Sequence, residues 1–295
     1  MKKLIISLTV LMVAGFSLSS CLKDAKVPDP GFDVSQLGSN ATILFEMPLD
    51  IYLQADRAIR FQRDSIIAKH VNQASLTFKM GYISLTVFPA DTTTFPKTIL
   101  LDFGSDPLMP YQGQLSIIMN GKMSTSGSNC ALNFQNLISS GITFSGNDSI
   151  ISLGKNTSGS MVSHFIIHGG EFKGSNNEKL TYTGNLFARF YQPSNINVFD
   201  SVEINATDDN LNAYKLYDAP TYKLQITYPC RFFNTGIINT DLTIKGALAG
   251  NMIFDYGYSS QGNMNGCDYD GAVTIKSKIN LNYQNQLGFY AREFR

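Results

Sequence analysis

From Ala74 onward the chain repeats one pattern: short runs in which apolar and polar residues alternate, separated by glycine and asparagine. ASLTFKMGYISLTVF, SHFIIHGG, KLTYTGNLFARFY, YKLQITYP and GAVTIKSKINLNY are examples. A period of two is the period of a β-strand, whose successive side chains point to opposite faces. Leu76, Phe78 and Met80 therefore share one face and Thr77 and Lys79 the other, as Leu224, Ile226 and Tyr228 share theirs. Strands with one apolar and one polar face suit an antiparallel sheet that is wet on one side. The 20 Phe and 14 Tyr, with abundant Gly, Asn, Ser and Thr, fit strands joined by tight turns. The expected fold is all-β, a mainly antiparallel meandering sheet or sandwich. No second helical pattern follows, which argues against an alternating strand-helix dinucleotide fold.

Ahead of the strands, DIYLQADRAIRFQRDSIIAKHV (residues 50–71) spaces Ile51, Ala55, Ala58, Ile59, Ile66 and Ile67 near a helical repeat. One amphipathic helix packed on the sheet is expected there. Residues 22–47 begin with mixed charge, two prolines and a glycine, the composition of an extended tether. A single β-rich domain then occupies 48–295, a length that can bury a sizeable core.

The first 21 residues form a different unit. Lys2 and Lys3 precede LIISLTVLMVAGF, an apolar run of 13, too short to span a bilayer stably and suited to an export signal. Leu18, Ser19, Ser20 and Cys21 resemble a bacterial lipobox, which implies that Cys21 becomes an acylated N-terminus anchoring the chain to a membrane. Cys130, Cys230 and Cys267 remain, so one intramolecular disulfide is the maximum. Cys230 ends a predicted strand and Cys267 lies in the turn-rich NMNGCDYDG, the pairing expected in an oxidising compartment.

Two strand ends echo each other. ILLDFG, with Asp102, Phe103 and Gly104, leads through a loop to GQLSIIMNGK; MIFDYG, with Asp255, Tyr256 and Gly257, leads to GAVTIKSKIN. They suggest two related modules, about residues 74–190 and 191–295, in one continuous domain. Asp-Phe-Gly is also the tripeptide that presents a magnesium-binding aspartate in protein kinases. That chemistry needs a Gly-rich phosphate loop, a strand lysine and an His-Arg-Asp loop converging on one nucleotide, and the sequence has none of these. The expectation is structural: the aspartate caps a turn, the aromatic packs inward and the glycine supplies an unusual backbone angle.

The lipobox, the two strand ends, FQNLISSGITFSG, and the GCD and AVTI segments together resemble a family of secreted lipoproteins of the Bacteroidetes, over about residues 40–290. The resemblance implies a β-rich, exported, outer-membrane-anchored protein and supplies no catalytic residue. Such proteins often carry a cysteine in the loop after the first Asp-Phe-Gly, where this chain has SDPLMPYQ. Surface members often have an acidic cluster after the acylated cysteine. Here Leu22, Lys23, Asp24, Ala25 and Lys26 follow, which leaves the periplasmic face and the cell surface both open. Asp-Ser/Thr tripeptides at Ser65, Thr92, Ser149 and Ser201 resemble the O-glycosylation pattern of exported proteins in that group.

Other chemistries find weak support. His164, His168 and Glu171 have zinc-like spacing only on a helix; on the expected strand the histidines stand roughly 13 Å apart. Asp268 and Asp270 lie in an oxygen-rich loop that fails the EF-hand register, since Gly266 and Ser277 fall where acids are needed. An ordinary capped turn is preferred there over a looser calcium site. There is no Gly-x-Ser-x-Gly elbow, and no cofactor is implied. Zero net charge argues against a nucleic-acid partner. The reading is a noncatalytic envelope protein with a structural or ligand-binding role toward an envelope protein or glycan; the alternative is an envelope glycan hydrolase with two carboxylates far apart in sequence.

Overall fold

The computed structural model describes residues 34–139, 141–174, 178–227, 233–244, 247–256, 272–277 and 284–287. Cys21, Cys230, Gly257, Cys267, Asp268 and Asp270 lie outside the described residues, as do the leader and the first part of the tether. By internal contacts the chain divides into a unit of residues 1–39 and a unit of residues 40–295, and the architecture below is that of the second.

Among the described residues one helix precedes a single 15-stranded sheet. The helix, α1, spans Val34–Lys69. The strands follow as β1 (Leu76–Met80), β2 (Ile83–Phe88), β3 (Lys97–Gly104), β4 (Tyr111–Met119) and β5 (Asn129–Ser139). Next come β6 (Ile142–Lys155), β7 (Met161–Lys173), β8 (Lys179–Tyr191), β9 (Ile196–Asp208) and β10 (Ala213–Asp218). The last are β11 (Leu224–Thr227), β12 (Ile237–Ile244), β13 (Ala247–Asp255), β14 (Ala272–Ser277) and β15 (Gln284–Leu287).

The sheet is the expected antiparallel meander, each strand pairing with the next, with one exception at β11. β9 carries β10 along its second half, from Glu203 to Thr207, and β11 along its first, from Ile196 to Phe199. The seam between them is held by polar groups. Asp218 Oδ1 accepts the Val202 amide at 3.0 Å, while Lys223 Nζ donates to Asp218 Oδ2 and, at 2.6 Å, to the Asp200 carbonyl. Pairing runs unbroken from β8 to β9 across residues 190 and 191, so the sheet is continuous where the two suggested modules meet.

Alternation in sequence becomes alternation in burial. Along β8, Leu180, Tyr182, Gly184, Leu186, Ala188 and Phe190 are buried and the residues alternating with them are more exposed. β3 does the same with Ile99, Leu101 and Phe103. The buried face meets α1. Phe61 contacts Phe78 of β1, Tyr52 lies between Phe165 of β7 and Phe199 of β9, and Phe45 packs on Phe254 of β13. A flat sheet covers one side of a helix, yet Leu44, Phe45, Leu49, Tyr52, Leu53 and Ala55 are each at most 2% exposed although they point in different directions around the axis. The sheet therefore curves around this part of α1.

The observed helix corrects the expected helix of residues 50–71 and, over residues 34–47, the expected tether of residues 22–47. α1 begins at Val34 and continues through Pro48, a residue that removes one intrahelical hydrogen bond. An amphipathic stripe marks a helix with one face in water; a helix covered all around has apolar residues on every side and no stripe. From Arg57 onward the polar face returns, with Arg63 and Asp64 exposed, and there the pattern is visible.

Candidate functional site

One face of the second half of α1 forms a wall. Asp56, Ile59, Arg60, Arg63 and Ile67 follow helical spacing and line a cleft of about 410 Å³. The opposite walls come from the 89–97 loop, from Met119 to Ser124 after β4, and from the facing ends of β6, β7 and β8. Apolar side chains supply much of the lining, notably Met119, Met123, Ile150, Met161, Val162 and Phe190.

The 89–97 loop is fixed from within. Asp91 Oδ1 accepts the amides of Thr94 at 2.6 Å and Thr93 at 2.7 Å, the Asx arrangement that lets a side chain organise a turn. Those two amide hydrogen bonds hold its carboxyl well below the usual carboxylate range. Lys97, at 2% exposure, reaches back to donate to the carbonyls of Pro89 and Asp91, each at 2.5 Å. Burial lowers its ammonium pKa, partly opposed by Asp91.

Arg60 is the centre of the cleft's electrostatics. Its Nη2 pairs with Asp56 at 2.5 Å and its guanidinium lies 3.7 Å from the centroid of the Phe190 ring, a cation–π contact. Its Nε is buried without a hydrogen-bond partner. Two residues on, and so on another side of the helix, Gln62 donates through Nε2 to the Ile59 carbonyl at 3.1 Å, while its Oε1 is also buried and unpartnered. Buried polar atoms are normally satisfied, because each unsatisfied one costs about 1–3 kcal/mol. Both residues line the cleft, but the two unpartnered atoms are shielded from it; what the cleft presents is the Arg60 guanidinium, whose side chain is 27% exposed, set among apolar side chains.

The residues singled out in sequence lie elsewhere. At Asp102 the expected turn is present: Oδ1 accepts the Gly104 amide at 2.9 Å, Phe103 is buried and Gly104 has a φ of 75°. Tyr256 is likewise buried, with its ring 5.3 Å from Phe45, and Asp255 closes β13. Each of these strands pairs antiparallel with the one after it, β3 with β4 and β13 with β14. His164 and His168 stand on β7 as expected, hydrogen-bonded to Asn185 at 3.0 Å and Ser149 at 2.9 Å, and Glu171 pairs with Lys179. No group of three or more metal-ligating side chains occurs among the described residues. Cys130 is a buried free thiol on β5, its pKa pushed up to about 12 by burial.

Of the four Asp-Ser/Thr sites, Thr92 is exposed on the cleft rim. Ser65 is half-buried on α1, and Ser149 and Ser201 sit within β6 and β9. Asp148, beside Ser149, is 3% exposed with both carboxylate oxygens unpartnered, and burial pushes its pKa up to about 7. It faces the interior between Phe144 and Ile150 and does not line the cleft. Sequence reasoning missed Arg60, Gln62 and Lys97 as site residues. The one available signal was the charge set within the helical pattern of residues 56–67, which does not reveal which charges become enclosed.

The chain matches no family model, no curated protein and no solved structure. Among the described residues, no helix is long and apolar enough to cross a membrane, which says nothing about crossing by strands.

Proposed function

We propose that this chain is an exported, lipid-anchored cell-envelope protein, held at Cys21, that binds a ligand noncatalytically in the cleft beside α1. The leader and lipobox of residues 1–21 support the address, and the likeness to Bacteroidetes lipoproteins supports an outer-membrane anchor. The observation that carries the binding role is the cleft of about 410 Å³ itself, whose largely apolar lining surrounds the partly exposed Arg60 guanidinium. That volume lies within the range of roughly 300–1,000 Å³ typical of small-molecule sites.

Glycan hydrolysis is the weaker reading. It needs one carboxyl kept protonated beside a second that is ionised. The acids of the cleft are committed otherwise: Asp56 to Arg60, Asp64 to Arg63 at 2.7 Å, and Asp91 to backbone amides that favour its ionised form. The carboxyl with the raised pKa, Asp148, stands outside the cleft.

Two measurements test the proposal. Radiolabelled palmitate is expected to enter the native chain and its Cys21→Ala variant to lose both label and membrane fractionation; equal behaviour of the two removes the anchor. Protein purified undenatured from its host is expected to melt above the same protein after unfolding and refolding, because a ligand bound only to the folded state raises stability. Identical melting removes the bound ligand.

A further inference from the structure

The cleft's charges are unevenly spent, and this imbalance defines a ligand class. Arg60, Arg63, Lys97 and Lys122 line it, against Asp56, Asp64 and Asp91. Each acid is engaged: Asp56 and Asp64 by arginines, Asp91 by the Thr94 and Thr93 amides. The cations retain capacity. Arg60 pairs with Asp56 through Nη2 alone, and its side chain is 27% exposed. Lys97 Nζ uses two of its three donors on carbonyls. Lys122 is exposed at the rim and forms no ion pair among the described residues.

The rest of the lining is apolar and adaptable. Met119, Met123 and Met161 are flexible, polarizable side chains that fill irregular shapes. Neutral sugars are usually held by stacking on open aromatic faces; of the two phenylalanines that line the cleft, Phe190 is covered by the Arg60 guanidinium and Phe95 has the Lys97 ammonium 5.8 Å from its ring centroid. Resting on the reading of the cleft as a ligand site, we propose that its ligand is a small amphipathic organic anion. Its apolar body packs on the methionines and its carboxylate or sulfonate accepts from the Arg60 guanidinium, with Lys122 adding attraction at the rim.

The test compares two molecules of nearly equal shape, 2-naphthalenesulfonate and the uncharged 2-naphthalenesulfonamide, with maltotriose as the neutral sugar. Each is titrated calorimetrically into the full chain carrying Cys21→Ala, which removes the acyl acceptor and the need for detergent. The sulfonate is expected to bind at least about tenfold tighter than the sulfonamide, the effect of one charge-assisted hydrogen bond. Arg60→Met is expected to weaken the sulfonate roughly ten- to hundredfold and the sulfonamide by less than about threefold. Lys122→Met, an exposed change that leaves the core intact, is expected to weaken the sulfonate about two- to fivefold, with a smaller effect at high salt. Melting is recorded for every variant, and if Arg60→Met does not melt cooperatively, Arg60→Lys and Lys122→Met decide.

Equal binding of sulfonate and sulfonamide, unchanged by these variants, overturns the anion while leaving a ligand cleft. Binding of maltotriose alone overturns it in favour of a glycan ligand. Binding of none of the three overturns the anion proposal, and the melting comparison of host-purified protein then shows separately whether the cleft reading survives.

Discussion

Asp148 makes the stability of this protein depend on pH in a direction opposite to that of a salt-bridged carboxylate. It faces the interior from β6, opposite Leu132 of β5 and Ile167 of β7, with neither oxygen hydrogen-bonded. Burial raises its pKa from an ordinary 3.8 to about 7. Below about pH 4 the carboxyl is protonated in both folded and unfolded chains, and ionisation costs the fold nothing. Between about pH 4 and pH 7 the unfolded chain gives up its proton while the folded chain keeps it. Stability therefore falls as pH rises through this window and levels off above it. A shift of about three units corresponds to about 4 kcal/mol, a large part of the roughly 5–15 kcal/mol that separates folded from unfolded domains. Tyr182, whose buried hydroxyl is also unpartnered, feels the same carboxylate. Asp148→Asn removes the ionisation and keeps the shape. Urea unfolding at pH 5.0 and pH 7.5 is expected to show a wild-type midpoint that falls by about 1 M over this range, for a slope near 3 kcal/mol/M. The variant's midpoint is expected to fall far less. Asp91, shifted the other way, titrates below this window and does not confound it. Parallel midpoints for wild type and Asp148→Asn across this range would refute the reasoning.

Two further outcomes follow from the strand framework. Gly170→Ala would place a Cβ 2.2 Å from the Tyr182 ring, so a loss of a few kcal/mol is expected by chemical denaturation; a loss below about 0.5 kcal/mol would contradict the tight packing of Tyr182 on β7. Asp102→Ala removes the acceptor of the Gly104 amide and is expected to cost about 1 kcal/mol without altering the sulfonate affinity of the cleft. A changed affinity would return a binding role to that aspartate.

The sheet was legible because each strand is wet on one side and its alternation is written into the chain, as in KLTYTGNLFARFY, which becomes β8. Asp102 to Gly104 was legible as a turn because the acceptor and the amide that it caps are two residues apart. The first half of α1 was not legible, since Leu44 to Ala55 is buried around its circumference and shows no stripe. Pro28, Pro30 and Gly31 ahead of it also read as a tether. The cleft was hidden for another reason: it gathers residues 56–67, 91–97, 119–124, 150–163 and 190–195, and only the curved sheet brings them together. Lys97 illustrates the difficulty. Lysine is among the residues least often enclosed, and nothing local to KTILLDFG shows that two carbonyls wait for its ammonium.

The most direct test of a ligand-binding envelope protein is native mass spectrometry of the chain purified undenatured from its host, beside its Arg60→Met variant. The native chain is expected to carry acyl mass at Cys21 and a dissociable small-molecule adduct that the variant, equally acylated, has lost. An unacylated, adduct-free native chain, or an adduct retained in full by Arg60→Met, would contradict the account.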